Sequence, residues 1–212
     1  SVSGVASCRC VRPILTISAN ASDLAASVVR RRPRAGSRSL VTPSAAATQV
    51  LARVTSGLGA PLRALLELAA VAGREIDATL LARAADLRVA NVVMMVNEAI
   101  ERGLLHTDGD VVRFRHDLYA EALVSGLPVA SRDELHLRLG RTVAAAGNAP
   151  GRAAFHLDAS AYLLEHDDVV LAGRVVDSLP HDDTAALALA QRAHELAPHD
   201  PRTVVPLMRC LA

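Results

Sequence analysis

Gly103-Leu104-Leu105-His106-Thr107-Asp108-Gly109-Asp110-Val111-Val112-Arg113-Phe114-Arg115-His116-Asp117-Leu118 is the stretch whose reading decides the fold. It reads as a short strand, a tight turn, a second strand and the start of a helix. Asp108-Gly109 supplies the positive backbone angles that a two-residue hairpin turn requires. In the second strand Val112 and Phe114 fall on one face, and Val111, Arg113 and Arg115 on the other, because strand side chains alternate. The helix at 118–124 follows, with Asp117 as the expected N-cap, its carboxylate accepting a free backbone N–H for about 1 kcal/mol. His116 stands at the junction and is the expected chemical address of the chain.

Working upstream, a series of helical segments leads into this hairpin. Thr42-Pro43 is a cap and first-turn pair for a helix over 45–55, with Val50, Leu51 and Val54 inward. Leu58, Leu62, Leu65, Leu66 and Ala69 share one helical face, and Gly73 stops that helix. Asp77 caps the next, which buries Leu80, Leu81 and Ala84. A further helix carries Val89, Val93, Val96 and Ile100 on one stripe and ends at Gly103. Helices followed by a hairpin make the pattern of a winged helix.

Downstream the chain reads as helical throughout. Ser131-Arg132-Asp133-Glu134 is a capping box for a helix over 132–146 that buries Leu135, Leu139, Val143 and Ala146. Gly147-Asn148-Ala149-Pro150 is a loop. A helix over 152–166 turns Leu157, Ala161 and Leu164 inward, and the apolar run 169–179 is expected to be well covered. Asp183 caps a helix over 184–197, and Asp200-Pro201 begins the last. The small residues Ala188, Ala190, Ala193 and Ala197 have the spacing of a helical-hairpin repeat of the TPR kind. The expected fold is therefore mostly α, a winged helix over 40–128 followed by a helical scaffold over 129–212. Residues 1–39 form a weakly ordered basic lead-in.

Composition narrows the chemistry. Hydrophobic residues make up 51% of the 212, with 2 Phe, 2 Tyr and no Trp. The core must be Ala, Leu and Val, which favours closely packed helices and disfavours a single-strand nucleic-acid platform, which needs stacking aromatics. All 23 basic residues are arginine. Without lysine there is no phosphate-binding loop of the G-x-x-x-x-G-K-[ST] kind, no Schiff base and no Ser–Lys dyad. A nucleophile elbow and an H-E-x-x-H zinc motif are missing too. Asp167-Asp168 and Asp182-Asp183 stand at helix starts, where capping accounts for them. Cys8-x-Cys10 has no second pair to complete a zinc site, and the 3 cysteines read as reduced thiols of a cytoplasmic protein. No apolar run reaches the roughly 20 residues of a membrane span.

Four motifs together resemble one family. They are Leu65-Leu66-Glu67-Leu68-Ala69-Ala70-Val71-Ala72-Gly73-Arg74-Glu75-Ile76-Asp77, Glu98-Ala99-Ile100-Glu101-Arg102-Gly103-Leu104-Leu105, Arg113-Phe114-Arg115-His116-Asp117-Leu118, and Leu135-His136. They resemble the large LuxR-type transcriptional regulators of actinobacteria, which belong to the signal-transducing ATPases called STAND. In that family a P-loop ATPase domain precedes a winged helix, helical repeats and a C-terminal helix-turn-helix. The resemblance places this chain in the middle of such a regulator, without the ATPase core and without the terminal helix-turn-helix. In related ATPases a Met-His-Asp motif in the winged helix lets its His touch the nucleotide phosphates. Arg115-His116-Asp117 occupies the matching place, with Arg for Met. The resemblance thus implies a nucleotide-sensing role for Arg115, His116 and Asp117.

The function expected is that of a non-catalytic signal-relay module of an ATP-dependent transcription regulator. It has no cofactor of its own, and ATP or ADP is implied for the parent protein. Its partner would be a P-loop ATPase domain or homologous subunit, with a further protein partner on the scaffold, DNA reached only indirectly and no membrane. The alternative is a direct DNA-binding winged helix, favoured by Arg113 and Arg115 on the wing and by the basic start. Against it, the helix over 91–102 is largely apolar, with Glu98, Glu101 and Arg102 as its charges, whereas a groove-reading helix offers Arg, Asn or Gln to base edges.

Overall fold

The computed structural model describes Gln49, Ala52 and residues 56–108, 111–180 and 183–211. Gln49 and Ala52 are helical. The rest of the expected helix over 45–55, the lead-in over 1–39, and Gly109 of the expected turn lie outside the described residues. Among those described, the chain is mostly helical with one small antiparallel sheet.

The first fully described helix, α1 (Ala60–Ala72), has Pro61 in its first turn, where no N–H is needed. Leu62, Leu65, Leu66 and Ala69 are buried as the spacing predicts. Gly73 ends it at φ 127°, a backbone angle that only glycine adopts freely. A two-residue strand, β1 (Glu75–Ile76), comes next. It is too short to show alternation, and sequence periodicity had no means of finding it. Asp77 then caps α2 (Ala78–Ala85), accepting from the Thr79 and Leu80 amides at 2.8 and 3.1 Å. Asp86 closes α2 in the left-handed region.

Helix α3 (Val89–Glu101) has the expected extent but a different inner face. Val92, Val96 and Ala99 are buried, whereas Val89 is 40% exposed and Val93 and Ile100 are half-buried. In a run as uniformly apolar as Val92-Val93-Met94-Met95-Val96, several stripes satisfy the helical period, and only the neighbours choose among them. Gly103, at φ 73°, ends α3: its N–H reaches Ile100 O and the Leu104 N–H reaches Ala99 O, both at 2.9 Å.

Strands β2 (Leu105–Asp108) and β3 (Val111–Phe114) follow. The sheet order is β1-β3-β2, all antiparallel, with Leu105 opposite Phe114 and Ile76 opposite Val112. Val112 and Phe114 are buried, as alternation requires. Asp108 pairs with Val111 as the last residue of its strand, so it is not one of the two turn residues expected at Asp108-Gly109. On the outer face Arg113 links all three strands, reaching Glu75 at 2.9 Å and Asp108 at 3.4 Å.

The remaining helices are α4 (Asp117–Gly126), α5 (Val129–Ala146), α6 (Pro150–Ala159), α7 (Val169–Asp177), α8 (Thr184–Leu196) and α9 (Pro201–Leu211). From α5 onward each packs on the next, and α5–α7, α6–α8 and α7–α9 also touch. Two glycines set the closeness of this packing: a Cβ on Gly140 would lie 2.7 Å from Leu157 Cδ2, and one on Gly173 2.9 Å from Arg202 O. Small residues let helices approach this tightly, which is how a core with so few aromatics fills its volume.

Several local expectations fail here. The capping box at Ser131 does not form, because α5 starts earlier, at Val129, with Pro128 as N-cap. Leu139 and Val143 are buried as expected, but Leu135 is half-buried and Ala146 exposed, their places taken by Leu137 and Asp133. The helix expected over 152–166 breaks at Ser160, whose Oγ donates to His156 O and Leu157 O. Two single 3-10 turns, Ala161–Leu163 and His166–Asp168, replace its second half, and Ala161 is only half-buried. The capping box of the region is the pair Glu165 and Asp168. Asp183 and Asp200 serve their predicted starts, accepting from the Ala185 and Arg202 amides. Residues on both sides of 128 share one packed unit, with α5 lying on α1 and α2.

Candidate functional site

Arg115, His116 and Asp117 occupy the bend between β3 and α4, and all three are exposed. Pairing in the sheet runs one bond past β3, since the Arg115 N–H donates to Leu104 O at 2.9 Å. Its guanidinium lies over Gly103, where an added Cβ would come within 3.1 Å of Nη1. A larger residue at 103 would displace that arginine, so Gly103 serves both the helix end and the site.

His116, not Asp117, is the N-cap of α4. Its backbone is extended and its carbonyl accepts from the Tyr119 N–H at 2.9 Å, but its side chain makes no cap hydrogen bond. The imidazole instead rests edge-on against Tyr119, centroids 5.2 Å apart. Asp117 is the first helical residue. Its carboxylate lies 3.7 Å from Arg74, a surface pair with 71% and 87% of the two side chains exposed. Such a pair contributes little to stability, but it sets a carboxylate and a second arginine beside the bend. The negative Asp117 also suits the positive end of α4.

The bend therefore presents Arg115 and the His116 ring outward, at a helix N-terminus, and among the described residues no hydrogen bond holds either ring nitrogen. Directional donors facing outward can hold an anionic group brought by another molecule. Among the described residues no group of three His, Cys, Asp or Glu is placed to hold a metal ion.

A second constellation escaped the sequence reading. His136 of α5 and His156 of α6 meet Nδ1 to Nδ1 at 2.9 Å. His156 is 1% exposed. One nitrogen must donate and the other accept, so the two rings hold complementary tautomers and at least one is neutral. Burial, then His136 and Arg152 nearby, depress the His156 pKa to about 3, and burial likewise lowers that of His136. Beside them Tyr162 Oη donates to the buried Asp133 carboxylate at 2.5 Å. This is a polar seam in a helix interface. The only hint in the sequence was His136 and His156 standing on core-facing stretches of adjacent helices, and helical periodicity does not pair residues across helices.

A shallow cleft of about 380 Å³ lies between α1 and the start of α5. Its arginines are already engaged, Arg63 with Glu67 at 2.9 Å and Arg138 with Ala84 O at 2.8 Å. It offers no convergent set of free donors.

No family model, curated protein or solved structure matches this chain. The resemblance to LuxR-type regulators is carried by the four quoted motifs alone. Among the described residues no helix is long and apolar enough to cross a membrane.

Proposed function

We propose that this chain is a non-catalytic relay module, a winged helix joined to a TPR-like scaffold, from an ATP-dependent LuxR-type transcription regulator of the cytoplasm. The observation that carries the reading is the open His116 at the strand–helix bend, with Arg115 beside it. A docked P-loop ATPase domain would present the phosphates of ADP there. His116 and Arg115 would donate to them, and the first turn of α4 would add its dipole. The element order supports the winged-helix assignment: helix, strand, two helices and a hairpin, with the first strand completing the sheet beside β3. The stacking of α5 to α9, each helix on its next and next-but-one neighbours, supports the TPR-like one.

The DNA-binding alternative loses support from two details. Arg113, expected to face phosphate, is engaged with Glu75 and Asp108. The exposed side of α3, the helix a groove reader would insert, carries Met94 and Glu101. Titration with duplex DNA over a salt series tests this, since phosphate contacts produce a steep fall of affinity with salt.

The relay reading is tested by joining the chain to a P-loop ATPase core of the same family. His116→Ala should leave the isolated chain as stable as before, because the side chain is exposed and makes no cap bond. In the joined protein it should weaken ADP retention and raise basal signalling. An unchanged nucleotide response there removes His116 from the mechanism.

A further inference from the structure

Helix α9 leaves a continuous apolar side uncovered. Its inner side, where Thr203 and Pro206 are buried, packs on α7 and α8. Its outer side carries Pro201, Val204, Val205, Met208 and Leu211, all exposed, with Val205 at 54%, Met208 at 61% and Leu211 at 60%. Single apolar side chains on a surface need no explanation, but a contiguous row of them marks a contact. Pro201, Val204, Met208 and Leu211 are spaced three, four and three. That alternation keeps one seam of a helix turned toward a second helix. Three turns are too few to make a coiled coil unaided, but α9 is already ordered on α7 and α8, so a partner need not supply its folding. The seam itself carries no charge. The arginines beside it are engaged within the chain, Arg202 with Asp200 at 2.6 Å and Arg209 with Asp177 at 2.8 Å.

We propose that α9 is a self-association surface, on which a second copy of the chain lays its own α9 antiparallel, about a twofold axis level with the midpoint between Val204 and Met208. The spacing of the seam reads the same in both directions. One axis therefore places Val204 opposite the partner's Met208 and Pro201 opposite the partner's Leu211, and every contact occurs twice, as an isologous interface requires. Side-chain size is what points to a second copy in this orientation. The short members, Pro201 and Val204, occupy the first half of the seam, and the long ones, Met208 and Leu211, the second. Antiparallel pairing sets each short side chain against a long one, so the two rows interdigitate at an even helix separation. Parallel pairing would oppose Met to Met and Leu to Leu and leave a gap at the other end. Each helix end also meets the oppositely charged end of its neighbour. One face of an 11-residue helix is smaller than the roughly 800 Å² per partner of a standard complex, so the dimer is weak and reversible. Its contacts are apolar, so salt does not dissolve it. This rests on α9 alone and is independent of the role given to His116.

Sedimentation equilibrium of the full chain across concentration and salt tests it. The wild type should show a monomer–dimer equilibrium that persists as salt rises. Val204→Arg and Met208→Glu should each raise the dimer dissociation constant roughly tenfold or more, because each buries an unpaired charge twice across the axis. An equimolar mixture of the two variant chains should associate again. In the antiparallel pair the introduced charges face each other across the axis, whereas in a parallel pair they lie at different levels. Both positions are exposed, so far-UV circular dichroism of each variant should match the wild type and unfolding would not explain a lost dimer. The proposal is overturned if the wild type stays monomeric at every attainable concentration, which would leave this side of α9 to a different partner. It is also overturned if a dimer forms that is indifferent to both substitutions, or if the mixture associates no better than either variant alone.

Discussion

At the scale of single residues, His156 ties the fold to pH. Its folded pKa of about 3 lies below the ordinary value of 6.5. Between those limits the unfolded chain binds a proton that the folded chain refuses, so stability rises with pH across this window. The full contribution is present above pH 6.5 and is lost as pH falls toward 3, by about 1 kcal/mol per pH unit. Urea midpoints measured from pH 7 to pH 4 should therefore decline in the wild type. In His156→Gln, which keeps a hydrogen-bonding group but cannot titrate, that decline should be distinctly shallower, from a lower starting stability. Equal slopes would mean that His156 does not resist protonation. Acid titration of Asp168 and Asp200 enters only lower down. Burial pushes the Asp168 carboxyl up, but hydrogen bonds from Arg141 and the Glu165 amide outweigh it and hold it below its ordinary value. Bonds from Arg202 hold that of Asp200 at about 2.

At the scale of elements, two glycines in the α5–α6 hairpin should respond oppositely to the same substitution. Gly140 lies inside α5, where a methyl group would meet Leu157 at Cδ2, Cγ and the backbone N. The leucine tip can turn, but its backbone cannot, so α5 and α6 must separate. Overpacking of this kind costs about 1–3 kcal/mol and exceeds the helix-propensity gain of about 1 kcal/mol. Gly140→Ala should therefore destabilise. Gly151, in the first turn of α6, has only Leu179 Cδ2 at 3.9 Å, an ordinary contact. Gly151→Ala should stabilise by up to about 1 kcal/mol. Thermal melts of both variants check the two signs, and a stabilised Gly140→Ala would show that the helices pack less closely than described.

Helix starts were legible wherever a side chain does the capping: Asp77, Asp183 and Asp200 act as their positions in the sequence announce. They were misread at Ser131 and Asp117. Pro128 and His116 end in extended backbone just upstream, and the chain enters the helix there, leaving each predicted cap inside it. Capping motifs are local, whereas the point of entry also depends on what the first turn packs against. The residues of the candidate bend were named from the sequence, and the structure keeps them adjacent and open. The His136–His156 seam was not named, because no local pattern pairs side chains across helices.

At the scale of the whole molecule, arginines rather than a linker hold the hairpin-bearing part to the helical stack. Arg138 of α5 donates to Ala84 O at 2.8 Å, and Arg152 of α6 to Ala72 O at 2.9 Å. Both acceptors are carbonyls in the last turns of α2 and α1, where backbone oxygens lack helical partners and a cation meets the negative helix end. With these ties and the packing of α5 on α1 and α2, residues 56–211 should unfold in one cooperative transition. Arg138→Ala together with Arg152→Ala should lower stability by about 2–3 kcal/mol and raise hydrogen exchange at the ends of α1 and α2 first. Two separated transitions in the wild type would show that the parts fold independently.

The sequence by itself determined the kind and order of most elements, the hairpin's inner face, the glycine stops and the carboxylate caps. Those features follow from backbone preferences and from apolar spacing within a few residues. Only the tertiary structure decided which side of the nearly all-apolar α3 turns inward, that a two-residue strand completes the sheet, and where the long helix expected after Arg152 breaks. It alone brought two histidines of neighbouring helices into hydrogen-bond contact. The physical reason is the same in each case: where a segment admits several local solutions of similar free energy, the burial offered by distant residues selects one.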